Sequence, residues 1–199
     1  MSVQATALLI AGSPSEQSRS AALLDAVEQR LLRHKGVAVE RLNIRELPAS
    51  ALLLADWSHP LVVKAIAQVA RAQAIVVSTP VYKAAYSGVL KVFLDLLSQT
   101  ALKDKTVLPL ATGGSPHHML ALDYALRPVL QALSARHILP GVYAVDAQVP
   151  QAADKTYAVG PEVAARLDES VGRLLQEGLR MPATAGFEPV PFSRVRCSV

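Results

Sequence analysis

What this chain has little of limits what it can be. It carries one cysteine, Cys197, so no intramolecular disulfide can form, and a reducing cytoplasm is the expected setting. No charged-then-apolar leader and no long uncharged run is present, so neither a secretion signal nor a membrane span is expected. Lys and Arg exceed Asp and Glu by only 20 to 16 and form no stripe. That argues against a nucleic-acid surface and leaves a mild attraction for small anions. Walker lysine and G-x-G-x-x-G patterns are both missing, which weakens the case for nucleoside triphosphates and for a dinucleotide fold. His117 and His118 adjoin, but neighbouring helical side chains point about 100° apart. With no cysteine or acidic cluster beside them, no metal site is expected. Internal repeats and low-complexity linkers are also absent.

What is there is an Ala-, Val- and Leu-rich chain of 199 residues, 51% apolar, long enough for one well-buried α/β domain and short for two. Apolar runs recur with helical patterns between them. Strands are expected near Ala5–Ala11, Val37–Leu42, Ala74–Thr79, Thr106–Ala111 and Val142–Val145. Helices are expected near Ser20–His34, Pro60–Ala70, Gly88–Leu97, Met119–Arg136 and Pro161–Glu177. Leu24, Val27 and Leu31 share one helix face, as do Val163, Leu167, Val171 and Leu174. Five strands alternating with five helices imply a five-stranded parallel sheet with helices on both faces, and ligands beyond the carboxyl ends of its strands. The domain is expected over residues 1–180. Residues 181–199 are proline-rich and carry Phe187, Phe192 and Val195, an arm lying on a neighbour or a disordered tail.

The stretch that organises the rest is Gly12-Ser13-Pro14-Ser15-Glu16-Gln17-Ser18-Arg19-Ser20, between the first strand and the first helix. Free amides at a helix start, with serine hydroxyls, make a socket for an anion. Without a Walker lysine, such a socket suits the terminal phosphate of FMN in a flavodoxin-like three-layer sandwich. The plainer possibility is that the serines only cap a helix. Two further loops belong at the same sheet edge. One is Ser78-Thr79-Pro80-Val81-Tyr82-Lys83-Ala84-Ala85-Tyr86-Ser87-Gly88, where Pro80 is expected to end the strand and Tyr82 offers a flat edge or a packing surface. The other is Thr112-Gly113-Gly114-Ser115, where two glycines admit close approach of a ligand or form only a turn.

The segment Thr79 to Lys91, with Leu108 to Gly114 and Leu122 to Leu130, resembles the NAD(P)H-dependent FMN reductase family, in particular the reductases of bacterial alkanesulfonate-utilisation systems. The likeness runs from about Leu8 to Val149. It implies a flavodoxin-like fold and reduction of FMN by NADPH or NADH, with reduced flavin passed to a separate flavin-dependent monooxygenase. By position, Ser13, Ser18, Arg19 and Ser20 would hold the phosphate. Pro80, Val81, Tyr82 and Lys83 would line the ring, and Thr112, Gly113, Gly114 and Ser115 its other edge. The chain departs from the family at Lys83, where Asn is common, at Ser87, where Pro is common, and at Ser15, where Arg is common.

Hydride transfer between stacked rings asks little of protein acids and bases, so no catalytic residue is nominated. The scarcity of aromatics suits an open flavin face more than the shielded flavin of an electron carrier. Pro128 deprives the Tyr124 carbonyl of its helical partner, so a kink or π-bulge is expected at Tyr124. The resemblance puts that tyrosine at a subunit interface that controls flavin release; the alternative is a kinked core helix with a bonded tyrosine. Gly88–Leu97 is apolar on nearly every side, which favours a second buried face in a homodimer or tetramer. Trp57 is expected to anchor packing or to touch a second subunit. A quinone or azo-compound reductase with bound FMN, or a non-enzymatic flavin carrier, remains open on the sequence.

Overall fold

Parallel strands in the centre of an α/β domain are buried on both faces, and this sheet follows that rule. The computed structural model describes residues 5–179. Its strands are β1 (Ala5–Ala11), β2 (Val37–Asn43), β3 (Ala74–Tyr82), β4 (Ala85–Tyr86), β5 (Thr106–Gly113), β6 (His137–Ile138) and β7 (Val142–Val145). The order is β2-β1-β3-β5, with β6 and β7 lying end to end along the free side of β5 as one interrupted fifth strand. These pairings are parallel, and β4 adds a short antiparallel hairpin to the end of β3. The expected five-stranded core is therefore present, with that hairpin as an addition.

The helices are α1 (Arg19–Leu31), α2 (Ala49–Leu53), α3 (Pro60–Arg71), α4 (Gly88–Asp95), α5 (Arg127–Ala132) and α6 (Pro161–Arg173). Period-two alternation in the strands splits the core in two. Leu9, Val76, Leu108 and Val142 meet Leu24, Val27 and Leu31 of α1 and Val163, Leu167 and Val171 of α6. Leu8, Ile10, Ile75 and Val107 meet Val62 and Val69 of α3, Phe93 of α4 and Leu130 of α5. Both expected helix faces are thus buried. The arm expected at residues 181–199 lies outside the described residues.

Two prolines sit inside strands, and each falls where no ladder donor is needed. Pro80 does not end β3, contrary to expectation: the strand continues to Tyr82, and Pro80 pairs in register with Thr112. The Gly12 amide donates to the Ser78 carbonyl (2.8 Å), so Ser78, and Pro80 two residues on, face the side of β1. β1 has already ended at Ala11, opposite Ser78, so the missing N–H costs nothing. Pro109 lies in β5. The Leu139 amide donates to the Val107 carbonyl (2.9 Å), so Pro109 faces the break between β6 and β7.

The single helix expected over Met119–Arg136 is interrupted. A short 3₁₀ turn covers Pro116–His118, a π-helical turn spans Leu122–Leu126, and α5 begins at Arg127 with Pro128 in its first turn. The irregularity expected at Tyr124 is there, because proline fits a first turn and not a helix interior. A second π-helical turn, Leu174–Gly178, follows α6.

Candidate functional site

At the carboxyl edge of the sheet the loop after β1 is fixed by its own hydroxyls. Ser18 is the N-cap of α1, its Oγ accepting from the Ala21 amide (3.1 Å), and Ser13 Oγ accepts from the Ser15 amide (3.1 Å). The capping role of these serines is therefore real, and it leaves other donors of the helix start unused. A hydroxyl that accepts one bond still has its proton to donate. Among the described hydrogen bonds, none uses the amides of Gln17, Ser18, Arg19 or Ser20 as donor. These are the free donors that a helix start provides.

Ser87 ties the neighbouring loops together. Its Oγ donates to the Gly12 carbonyl and caps α4 by accepting from the Leu90 amide (3.2 Å), while its amide donates to Thr79 Oγ1 (3.0 Å). Gly12 allows this closure: a β-carbon there would lie 3.0 Å from both Leu90 Cβ and the Ser78 carbonyl oxygen. Between β3 and β4 the chain reverses through Lys83 (φ 50°) and Ala84 (φ 63°), both left-handed, which carries Tyr82 out beside the edge with half its surface exposed.

On the other side, the phenol of Tyr143 on β7 donates to the Ser115 carbonyl (2.6 Å) and covers Gly113. Burial, with a smaller contribution from the Asp146 charge, raises the Tyr143 pKa above the ordinary tyrosine value, so the phenol stays a neutral donor. Beyond β7, Asp146 and Val149 turn the chain back toward α1. Arg19 is held there by three partners: Nε donates to the Val149 carbonyl (3.1 Å), a terminal nitrogen lies 3.4 Å from the Asp146 carboxylate, and the guanidinium sits 4.9 Å from the centre of the Tyr157 ring.

These segments enclose a groove of ≈ 230 Å³ lined by Ser18, Arg19, Pro80, Val81, Tyr82, Thr112, Gly113 and Gly114 from the expected set. Ser15, Gln17, Asp146 and Tyr157 complete it. An adjoining hollow of ≈ 160 Å³ shares Gln17, Ser18 and Tyr157. The other four expected residues stand beside the groove instead of lining it. Ser13 shapes the loop, and Ser20 is buried against Ser18, their hydroxyls 3.2 Å apart. Lys83 is at the exposed hairpin apex, and Ser115 caps the following 3₁₀ turn through the His117 amide (3.3 Å). Asp146 and Tyr157 stand outside the loops after the first, third and fourth strands, where the serine, proline and glycine signals lie. The same rule about carboxyl ends applied to the loop after the fifth.

The arrangement suits a ligand with an anion at one end and a flat ring at the other. Amides, hydroxyls and one guanidinium gather at the start of α1; Tyr82, Val81 and the Gly113–Gly114 backbone form the walls. Its polar lining consists of main-chain amides, hydroxyls and the Arg19–Asp146 pair, groups that bind and orient a ligand. This is a fit for FMN on the donor set itself. A larger cavity of ≈ 600 Å³, bordered by Trp57, Ile66, Leu97 and Lys105, lies at the opposite, amino edge of the sheet. Trp57 is half exposed there, its indole N–H donating to the Leu96 carbonyl (3.2 Å).

Comparison with known proteins places the chain in a family. Residues 5–149 match the family model for NADPH-dependent FMN reductase. The chain is 52% identical over 143 residues to an FMN reductase (NADPH) of Pseudomonas putida, covering 72% of each protein. It is 48% identical over 142 residues to an FMN reductase (NADPH) of Escherichia coli, covering 71% of this chain and 74% of that one. Among solved structures, the apo form of an NADH:FMN oxidoreductase superposes with a TM-score of 0.80 at 37% identity, over 90% of this chain and 93% of the other. A flavodoxin-like sheet and a match across most of the chain lead to one conclusion: this chain belongs to the NADPH-dependent FMN reductase family.

Proposed function

We propose that the chain reduces FMN with NADPH or NADH and hands the reduced flavin to a separate flavin-dependent monooxygenase that desulfonates organosulfonates during sulfur acquisition. The observation that carries the reductase reading is the groove itself, where main-chain donors, hydroxyls and one arginine face a flat, partly open wall in a chain of this family. FMN held there would supply N5 as the acceptor for a hydride from the nicotinamide C4. The chain's part is to bind and orient. Ser18 and Arg19, with the amides of residues 17–20, hold the phosphate, while Ser13 and Ser20 keep that loop in shape. Pro80, Val81 and Tyr82 line one edge of the ring, and Thr112, Gly113 and Gly114 the other, while Lys83 and Ser115 hold the turns that follow these segments. Tyr82 and Tyr157 are the aromatic residues lining the groove, and the transfer requires that one ring face stay free of them for the nicotinamide.

The delivery role rests on the likeness to alkanesulfonate-system reductases, and an oligomer fits it. Tyr124 is 78% exposed on its π-helical turn, next to exposed Met119 and Leu120. The alternative of a core tyrosine bonded within its own chain has no support in that exposure. The turn packs against the β4 hairpin that carries Tyr82. Through that contact, assembly as a dimer or tetramer affects flavin release.

The test is nucleotide consumption with and without free FMN, followed by coupling to a flavin-dependent alkanesulfonate monooxygenase. Dependence on free FMN, with sulfite released in the coupled reaction, supports the full reading. Turnover limited by a quinone or azo dye favours the related reductases, and absence of NADPH and NADH oxidation favours a carrier.

A further inference from the structure

We propose that Asp146 sets how tightly the groove takes a phosphate-bearing flavin, because its carboxylate already occupies the one guanidinium that lines the groove. This deepens the FMN reading above and rests on it.

Arg19 is the only cationic side chain among the described residues lining the groove, and Asp146 is the only anionic one. They face each other at 3.4 Å, so the side chains lining the groove sum to no net charge, and the carboxylates of the adjoining hollow, Glu16 and Asp25, are paired with Arg45 and Arg41. A phosphate monoester brings a charge of about −1.5 to −2 near neutral pH. It therefore meets a cation whose field Asp146 has largely cancelled, and the carboxylate itself repels it.

Arg19 is not able to leave its carboxylate by a simple rotation. Its Nε is fixed to the Val149 carbonyl (3.1 Å), and the ring of Tyr157 stands over the guanidinium. Val149 is fully buried. The segment that carries Tyr157 is braced by its own bonds, Ala152 amide to Thr156 carbonyl (2.8 Å) and Ala158 amide to Pro150 carbonyl (3.0 Å). The base of this loop is held by Gln148, whose carbonyl accepts from the Gly160 amide (2.8 Å) and whose side-chain amide donates to Glu162 (3.0 Å). Arg19 thus has two anchors besides Asp146, and losing the carboxylate leaves the guanidinium in place with more of its charge free.

The consequence is specific to the phosphate. Riboflavin has the ring and ribityl chain of FMN without the phosphate, so it does not sense the Arg19–Asp146 balance. Asp146→Asn in the full chain is expected to tighten FMN binding on the order of tenfold at low salt, while riboflavin changes less than about twofold. The FMN gain should shrink as salt is added, because both side chains are partly exposed and screened. Asp146→Ser, which also removes the charge, is the second variant should the Asn protein fail to fold.

Titration of intrinsic flavin fluorescence with both ligands reads all of this. Weaker or unchanged FMN binding in the charge-free variants overturns the proposal, since Asp146 would then only orient Arg19. So does an equal gain for riboflavin. If neither flavin binds the unsubstituted chain, the FMN reading itself falls, and this proposal with it.

Discussion

Gly113 and Tyr143 are matched by shape: a β-carbon at position 113 would overlap the Tyr143 hydroxyl oxygen, and that hydroxyl is the donor to the Ser115 carbonyl. The glycine is required by this close approach, not by backbone conformation. It lets the neighbouring strand's phenol lie across the end of β5 and fix the loop that follows. Gly113→Ala is expected to cost about 1–3 kcal/mol of stability and to weaken FMN binding, because the phenol must move off Ser115. Removing the hydroxyl relieves the clash. The double variant Gly113→Ala with Tyr143→Phe should therefore lose less than the sum of the two single changes. Additive losses in chemical denaturation would mean that the two positions do not constrain each other.

The hairpin apex carries avoidable strain. Lys83 and Ala84 both adopt left-handed backbone, which costs roughly 1 kcal/mol or more for residues other than glycine, asparagine or aspartate. Two-residue turns of this hand favour Asn-Gly. Lys83→Asn with Ala84→Gly is expected to stabilise the protein by about 1 kcal/mol, raising Tm by about 2–4 °C for a chain of this size. A fall in Tm would show that the lysine or alanine side chain makes an interaction that outweighs the strain.

Alkaline pH should loosen the contact between Tyr143 and the loop after β5. The folded-state pKa of Tyr143 is raised by burial above its unfolded value, so the folded protein holds that proton more tightly. This contribution is fully present below a pH of about 10 and is lost as the pH rises through the folded pKa. The stability difference between the unsubstituted chain and Tyr143→Phe should be flat at neutral pH and narrow above pH of about 10. A difference that stays constant across that window contradicts the assignment.

Much of this architecture can be read in the sequence because parallel strands are written as unbroken apolar runs and covering helices as clear stripes. Leu24, Val27 and Leu31, and likewise Val163, Leu167 and Val171, are buried as their spacing requires. The misreadings have definite causes. Pro80 resembles a strand terminator until one knows that the ladder on its N–H side has already ended. The first three groove segments carry serine, proline and glycine signals in the sequence. Asp146 and Tyr157 follow a strand of only four residues, and their importance comes from meeting Arg19 across more than a hundred residues of sequence. No local pattern encodes that meeting.

Tyr124 separates the assembly reading from a purely local one. Tyr124→Ala removes an exposed ring and leaves the core of its turn, Leu122 and Leu126, buried. The expected outcome is a smaller oligomer by light scattering and altered FMN retention on gel filtration, with little loss of monomer stability. Unchanged oligomeric state and unchanged retention would remove the interface role.

The account depends on a flavin bound where the loops after β1, β3, β5 and β7 converge, and a crystal of the chain soaked with FMN tests that directly. The expected map has the phosphate within hydrogen-bonding distance of the amides of residues 17–20 and of Arg19, with the ring against Tyr82 and the Gly113–Gly114 backbone. FMN seated instead in the cavity beside Trp57, or a convergence point left empty at saturating ligand, would contradict it.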